Sequence, residues 1–284
     1  MRLVPSPRFK HPGNLKGFAI PDPRFPEFKE SSVEIDLRRC EFVESSAVMW
    51  CLIYLLSAKG KGAQCTLLVP ENMRVCIYLQ SLGIFGVLKK NGVEVDDRNV
   101  PVGDQARLIL PLTDFESESS VEKVANDVVL ELIDSGLGAP NIHPVVADTF
   151  SELALNAVQH SESNVGAFGY IQYHESVKVR RFICAVADGG IGIRRSLEQN
   201  PGLRARVPYD WVAIELAMQE RVSGTQDPTR GMGLFGVAEE VRKAQRQLLI
   251  HSGIGALRIE EELQSRAWRT KLFPGTLAYA SIPC

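Results

Sequence analysis

A chain of 284 residues, 45% hydrophobic and 23% charged, is long enough for about two domains, each able to bury a core. Its formal net charge of −2 excludes a broadly basic phosphate-binding surface, so nucleic acid is not an expected partner. The six cysteines (Cys40, Cys51, Cys65, Cys76, Cys184, Cys284) form no C-x-x-C pair and no compact Cys/His cluster, which fits a reduced, cytoplasmic setting.

Residues 1–30 carry Pro5, Pro7, Pro12, Pro21, Pro23 and Pro26. Such spacing excludes regular helix and disfavours a central strand, leaving an extended arm that lies against a domain or stays loose. The start, MRLVPSPRFKHPG, lacks an apolar run of signal-peptide length, and the longest apolar stretch, AVMWCLIYLL, is too short to span a bilayer, so no membrane association is expected.

From residue 33 the pattern changes. VEIDLRR alternates as a strand, and FVESSAVMWCLIYLLSAKGKG runs from a serine turn into an apolar helix ended by glycines. AQCTLLVP reads as a short buried strand and NMRVCIYLQSLGIFGVL as a second helix broken at Gly83, followed by strands in VEVDD and ARLILPL. Short strand–helix units predict a small α/β domain over residues 31–112 with a mixed or parallel sheet. The apolar helix 47–56 can face a core or another chain, which leaves a homodimer open.

The polar segment TDFESESS, residues 113–120, marks a junction. Beyond it come two long helical patterns, SVEKVANDVVLELIDSGL and IHPVVADTFSELALNAVQHS, then GAFGYIQYH and VKVRRFICAVAD as adjacent antiparallel strands. Helices in DWVAIELAMQE and GMGLFGVAEEVRKAQ precede strands in RQLLIHS, GALRIEE and TLAYASIP. Helices beside a mostly antiparallel sheet give an α+β fold for residues 116–284. The basic cluster Arg242, Lys243 and Arg246 reads as an exposed helix face.

The stretch SELALNAVQHS sets Glu152, Asn156 and His160 at every fourth position, on one broad helical face. A solvated polar face accounts for them as well as a site does. Two glycine clusters follow: ADGGIGI, from Asp188 to Ile193 at a strand end, and RGMGLFGV, from Arg230 to Val237 at a helix start. Glycines at a helix N-terminus suit phosphate binding, and plain turns are the alternative.

An E-x-x-x-N helix, then D-x-G-x-G-I, then G-x-G-L-x-G, with a late PGT at Pro274–Thr276, resembles the ATP-binding domain of the GHKL superfamily. The resemblance covers residues 116–284 and implies a Bergerat-type two-layer α/β sandwich that binds ATP with Mg²⁺. It implies Asn156 as the Mg²⁺ ligand, Glu152 as general base, and Asp188 as acceptor for the adenine amino group, with Gly190 and Gly192 making room for the base. Gly231, Gly233 and Gly236 would offer backbone donors to the phosphates, Thr276 would support adenine recognition, and residues 194–230 would form the lid. Arg230 would reach a phosphate or cap the lid; His160 is equally consistent with a structural role. No Walker-A pattern is present.

VEIDLRRCEFVESSAVMWCLIYLL is similar to a STAS domain of the bacterial anti-sigma-factor antagonists, which places a possible phosphoacceptor at Ser46. Glu44 and Ala47 stand where those antagonists carry aspartate and glycine, and Ser45 and Ser46 also suit a plain helix cap. Neither His11 nor His143 lies in a phosphoacceptor hairpin, which argues against a two-component histidine kinase. Together the resemblances imply a Mg²⁺-dependent ATPase or protein serine kinase of the anti-sigma regulator kind, working with a protein partner in partner-switching signalling. The alternative is a nucleotide-gated interaction module with little or no turnover.

Overall fold

The computed structural model describes residues 1–10, 15–16, 31–97, 100, 107–176, 179–219, 222, 233–243, 247–260 and 266–284. The first unit contains β1 (Arg2–Pro5), β2 (Arg8–Phe9), β3 (Leu15–Lys16), β4 (Ser32–Asp36), β5 (Phe42–Val43), α1 (Ser45–Gly60), β6 (Gln64–Leu68), α2 (Met73–Leu82), α3 (Ile84–Lys90) and β7 (Glu94–Val95). Its sheet has the order β3-β1-β4-β6-β7, parallel except for β3. Part of the expected arm is therefore built in: β1 lies between β3 and β4, with Pro5 at its end, where a missing N–H costs least. Asp36 at the end of β4 fastens β1 to its neighbour, because Arg38 and Arg2 both donate to its buried carboxylate and hold it well below the usual range. The break at Gly83 is real. That residue has φ 91°, a left-handed conformation that ends α2 and turns the chain into α3.

The second unit contains β8 (Arg107–Phe115), α4 (Glu118–Ser135), α5 (His143–His160), β9 (Ala167–Glu175), β10 (Arg180–Asp188), α6 (Gly192–Glu198), α7 (Asp210–Ala217), α8 (Gly233–Lys243), β11 (Gln247–Ile259) and β12 (Trp268–Pro283). Its sheet is antiparallel in the order β11-β12-β10-β9-β8. Because β8 pairs with β9, the ARLILPL strand belongs to this second sheet, and the changeover falls before Arg107 instead of at residues 113–120. The two segments RQLLIHS and GALRIEE form one strand, irregular at Ser252–Gly255, where paired residues shift register.

Alternation along the strands assigns the two faces of the second sheet. Ile171, Val186, Ile250, Ala278 and Ala280 join the core beneath α4, α5, α7 and α8. Tyr170, Ile183, Ala187, Leu277 and Tyr279 point the other way and pack with α1. Helix α1 is buried from Ser45 to Ala58 because it lies between β4 and β6 of the first sheet and β10 and β12 of the second. Its all-round apolarity is that of a helix with no solvent face. The second sheet is thus covered by helices on one face and by the first unit on the other, and the two units share a core. Among the described residues no helix is long and apolar enough to cross a membrane. The six cysteines are unpaired and five are buried; burial pushes the Cys184 thiol up to about 12, as befits a core residue.

Candidate functional site

Three polar residues line up across the second sheet. Asp188, the last residue of β10, faces Thr276 on β12, and Thr276 faces Ser252 on β11. Their two-removed neighbours Val186, Ala278 and Ile250 all enter the core beneath the helices, so the polar row lies on the helical face. Asp188 is only 3% exposed. Its carboxylate accepts from the Gly190 N–H at 2.8 Å and also from the Thr276 backbone, yet burial outweighs both bonds and pushes it up to about 7. A carboxylate has more lone-pair sites than these two bonds use, so it keeps capacity for a further donor.

Ser252 joins this row to the next turn. Its hydroxyl accepts from the Ile193 N–H at 2.8 Å and lies 3.1 Å from both the Gly275 carbonyl and the Thr276 hydroxyl. Thr276 remains partly exposed beside it, while Ser252 is 2% exposed.

Helix α5, which carries the Glu152–His160 series, packs over β9 and β10 on the same face. Glu152 is exposed, and its carboxyl is raised first by partial desolvation and then by the Asp148 carboxylate one turn earlier. The Asn156 amide nitrogen donates to the Glu152 carbonyl at 2.6 Å, which leaves the amide oxygen for another partner. His160 is half-buried at the end of α5. Beyond it, the Ser161 carbonyl accepts from the Ile191 N–H at 2.7 Å, tying the end of α5 to the turn after Asp188.

The glycines divide into two kinds. A Cβ on Gly190 would lie 1.8 Å from the Ser161 carbonyl oxygen, and one on Gly192 would lie 2.9 Å from the Ser252 hydroxyl. In the Cβ direction these two glycines allow α5, β11 and the turn to close on one another. Gly236 differs. Among the described residues a Cβ there meets nothing within 4 Å, although the residue lies inside α8, where glycine costs about 1 kcal/mol relative to alanine. Helix α8 packs against α5, so this open glycine belongs to the layer that carries Asn156. Gly233 begins α8, whereas Arg230 and Gly231 lie outside the described residues.

Much of the expected lid is core. Leu197, Val207, Ala213, Ile214, Leu216, Ala217 and Met218 are buried beneath the helical layer, and the Asp210 carboxylate accepts from the Ile254 N–H at 2.8 Å. Residues 194–219 are therefore fastened to the edge of the sheet, and the rest of the segment, apart from Val222, lies outside the described residues. Ser46 is distant in kind from the other candidates: it is 3% exposed, and its hydroxyl donates to the Lys10 carbonyl at 3.0 Å beneath the N-terminal segment.

Sequence reasoning gave no role to Ser252, took Gly275 only as part of the PGT motif, and did not see the contact made by Gly189. Gly275 has φ 111°, and a Cβ on it would fall 2.1 Å from the Asp188 carbonyl oxygen. A Cβ on Gly189 would meet Val165 at 2.1 Å and the Ser57 hydroxyl at 3.0 Å, which places α1 of the first unit directly behind the Asp188 turn. Only strand register exposes these relations, and register is not written in the local sequence.

The residues present fit a nucleotide with a divalent cation at two points: a buried carboxylate for a base donor and an amide oxygen for a hard cation. Among the described residues no group of three or more His, Cys, Asp and Glu forms a metal cluster, and Mg²⁺ bound with phosphates needs only one or two protein ligands. Compared with known proteins, the chain matches no protein-family model and no curated sequence.

Proposed function

We propose that this protein is a cytoplasmic ATP-binding signalling protein with Mg²⁺-dependent ATPase or protein serine kinase activity. The observation that carries the reading is the Asp188–Thr276–Ser252 row on the face of the sheet covered by α5, the helix bearing Glu152 and Asn156. Two resemblances stand behind it: residues 116–284 to GHKL ATPases, and the preceding unit to STAS domains.

In this reading Asp188, when ionised, accepts from the amino group of the base, and Thr276 supports a ring nitrogen. Mg²⁺, when bound, neutralises phosphate charge, and Asn156 would hold it through the amide oxygen. Glu152 takes the proton of the attacking water or hydroxyl. Its raised carboxyl brings its basicity closer to neutral pH, as a general base requires. The backbone at Gly236, and at Gly233 and Gly231 before it, would meet the phosphates, with Arg230 beside them. A protein partner in a partner-switching system supplies the acceptor where transfer is to protein.

The burial of Ser46 favours water or a second protein over Ser46 as the acceptor in the intact chain. A separate contact supports the alternative of a nucleotide-gated module with little turnover: Ser57 and Ile53 of α1 lie against Gly189 in the Asp188 turn. The test is incubation with γ-labelled ATP and Mg²⁺, separating free from protein-bound phosphate, for wild type, Glu152→Ala and Asn156→Ala. Free phosphate lost with Glu152→Ala supports the ATPase; label on an added protein lost with Glu152→Ala supports the kinase. ATP bound without either product selects the gated module. Absence of ATP binding by wild type refutes the proposal.

A further inference from the structure

We propose that Ser252 is a positioning residue for base recognition, acting through the Thr276 hydroxyl; the inference rests on the nucleotide reading above. Nothing in the glycine-box or E-x-x-x-N patterns points to this serine, which lies on a different strand from every other candidate.

The argument is a count of hydrogen-bonding capacity. A serine hydroxyl has one proton and two acceptor sites. The Ile193 N–H, 2.8 Å away, occupies one acceptor site. The single proton then has two destinations at 3.1 Å, the Gly275 carbonyl and the Thr276 hydroxyl. When Ser252 donates to Gly275, its remaining acceptor site takes the Thr276 proton, and every group of the cluster is paired without a ligand. When a base presents an accepting ring nitrogen, the chain reverses: the Ser252 proton leaves the Gly275 carbonyl for the Thr276 hydroxyl, and the bond given up at Gly275 is replaced by the one Thr276 donates outward to the base. Hydroxyl relays of this kind strengthen each successive bond.

The surroundings hold the relay in place. Ser252 is 2% exposed, and it is braced on one side by the Gly192–Ile193 turn and on the other by its cross-strand partner Thr276. Thr276 is partly exposed and is itself the cross-strand partner of Asp188, so its hydroxyl is the end of the relay that a ligand can reach. Ser252 has no such access and acts only through its neighbour.

The experiment is a double-mutant cycle on the full chain, read by equilibrium binding of ATP, with tripolyphosphate as a probe that lacks the base. Ser252→Ala is expected to weaken ATP binding by about tenfold, the value of one lost hydrogen bond, and to leave tripolyphosphate binding unchanged. In a Thr276→Val background the same change is expected to cost no more than about twofold, because the relay has already lost its end. Ser252→Thr, which keeps the hydroxyl, is expected to restore ATP binding. Equal losses in both backgrounds, or a parallel loss of tripolyphosphate binding, would overturn the inference in favour of a purely structural serine. If Ser252→Ala does not fold, Ser252→Cys, close in volume with a weak donor, takes its place in both backgrounds. Wild-type protein that binds ATP with an affinity that Ser252→Ala leaves unchanged overturns the inference alone, whereas wild type that does not bind ATP overturns the nucleotide reading with it.

Discussion

The indole Nε1 of Trp50 donates to the Leu272 carbonyl at 3.0 Å, joining residues 222 positions apart in the chain. Trp50 belongs to α1 of the first unit and Leu272 to β12 of the second. The bond is buried, and the indole stacks on Tyr54 with ring centroids 4.6 Å apart. The two units therefore share apolar contacts and a satisfied polar contact at the same place.

Trp50→Phe is expected to lower the unfolding free energy by about 2–4 kcal/mol, combining lost volume with an orphaned carbonyl. Because α1 serves both sheets, urea unfolding followed by far-ultraviolet circular dichroism and by tryptophan fluorescence should show one coincident transition in wild type. Two separate transitions, with only the first shifted by the substitution, would mean that the shared core does not couple the units.

Asp188 gives a pH dependence with a definite sign. Its carboxyl is pushed from an ordinary 3.8 up to about 7 by burial. In the folded state it holds its proton over a range where the unfolded chain has released it. The resulting stabilisation is complete below about pH 4 and is lost as pH rises through about 7. The melting temperature should fall across that window for this reason, and Asp188→Asn should flatten the fall. ATP binding should run the other way, strengthening from pH 6 to 8 as the carboxylate ionises. Asp188→Asn should weaken it by roughly ten- to a hundredfold at pH 8, the range for a lost charge-assisted hydrogen bond. A variant that retains full affinity would remove Asp188 from base recognition.

Gly236 and Gly190 should respond oppositely to alanine. Gly190→Ala drives a Cβ into the Ser161 backbone and should destabilise the fold by more than about 2 kcal/mol. Gly236→Ala adds a methyl that meets no described residue within 4 Å and should stabilise the fold by about 0.5–1 kcal/mol through helix propensity. If phosphate approaches the backbone there, the same change should weaken ATP binding. Higher stability with unchanged affinity would show that Gly236 has no ligand to accommodate.

Periodicity and punctuation made most elements legible. The break at Gly83, the antiparallel pair β9 and β10, and α5 with its polar series all follow from local pattern. The uniform apolarity of α1 announced burial but not its partners, because composition cannot distinguish a core, a second chain and a neighbouring sheet. Ser252 was hidden for a related reason: it reads as the last residue of the RQLLIHS strand, and only its pairing with Thr276, just before the register shifts, makes it part of the polar row. Gly190 and Gly192 were visible as glycines, yet what fills the space beside them comes from α5 and β11, remote in sequence.

Ser46 supplies the last prediction. The N-terminal segment covers the start of α1 through several bonds: β2 pairs with β5, the Glu44 N–H donates to the Phe9 carbonyl at 2.9 Å, and the Ser46 hydroxyl donates to the Lys10 carbonyl. A phosphate or carboxylate at this place would enter a site where the hydroxyl is 3% exposed and faces a carbonyl oxygen, an acceptor that repels negative charge. Ser46→Ala should cost about 1 kcal/mol, whereas Ser46→Asp should cost several times more, on the order of 3 kcal/mol, in urea unfolding at neutral pH. Incubation of the intact chain with γ-labelled ATP should leave Ser46 unlabelled, as peptide mapping by mass spectrometry would show. Stoichiometric phosphate at Ser46, or an aspartate tolerated as well as alanine, would mean that the N-terminal segment releases α1 readily and that the serine is reachable after all.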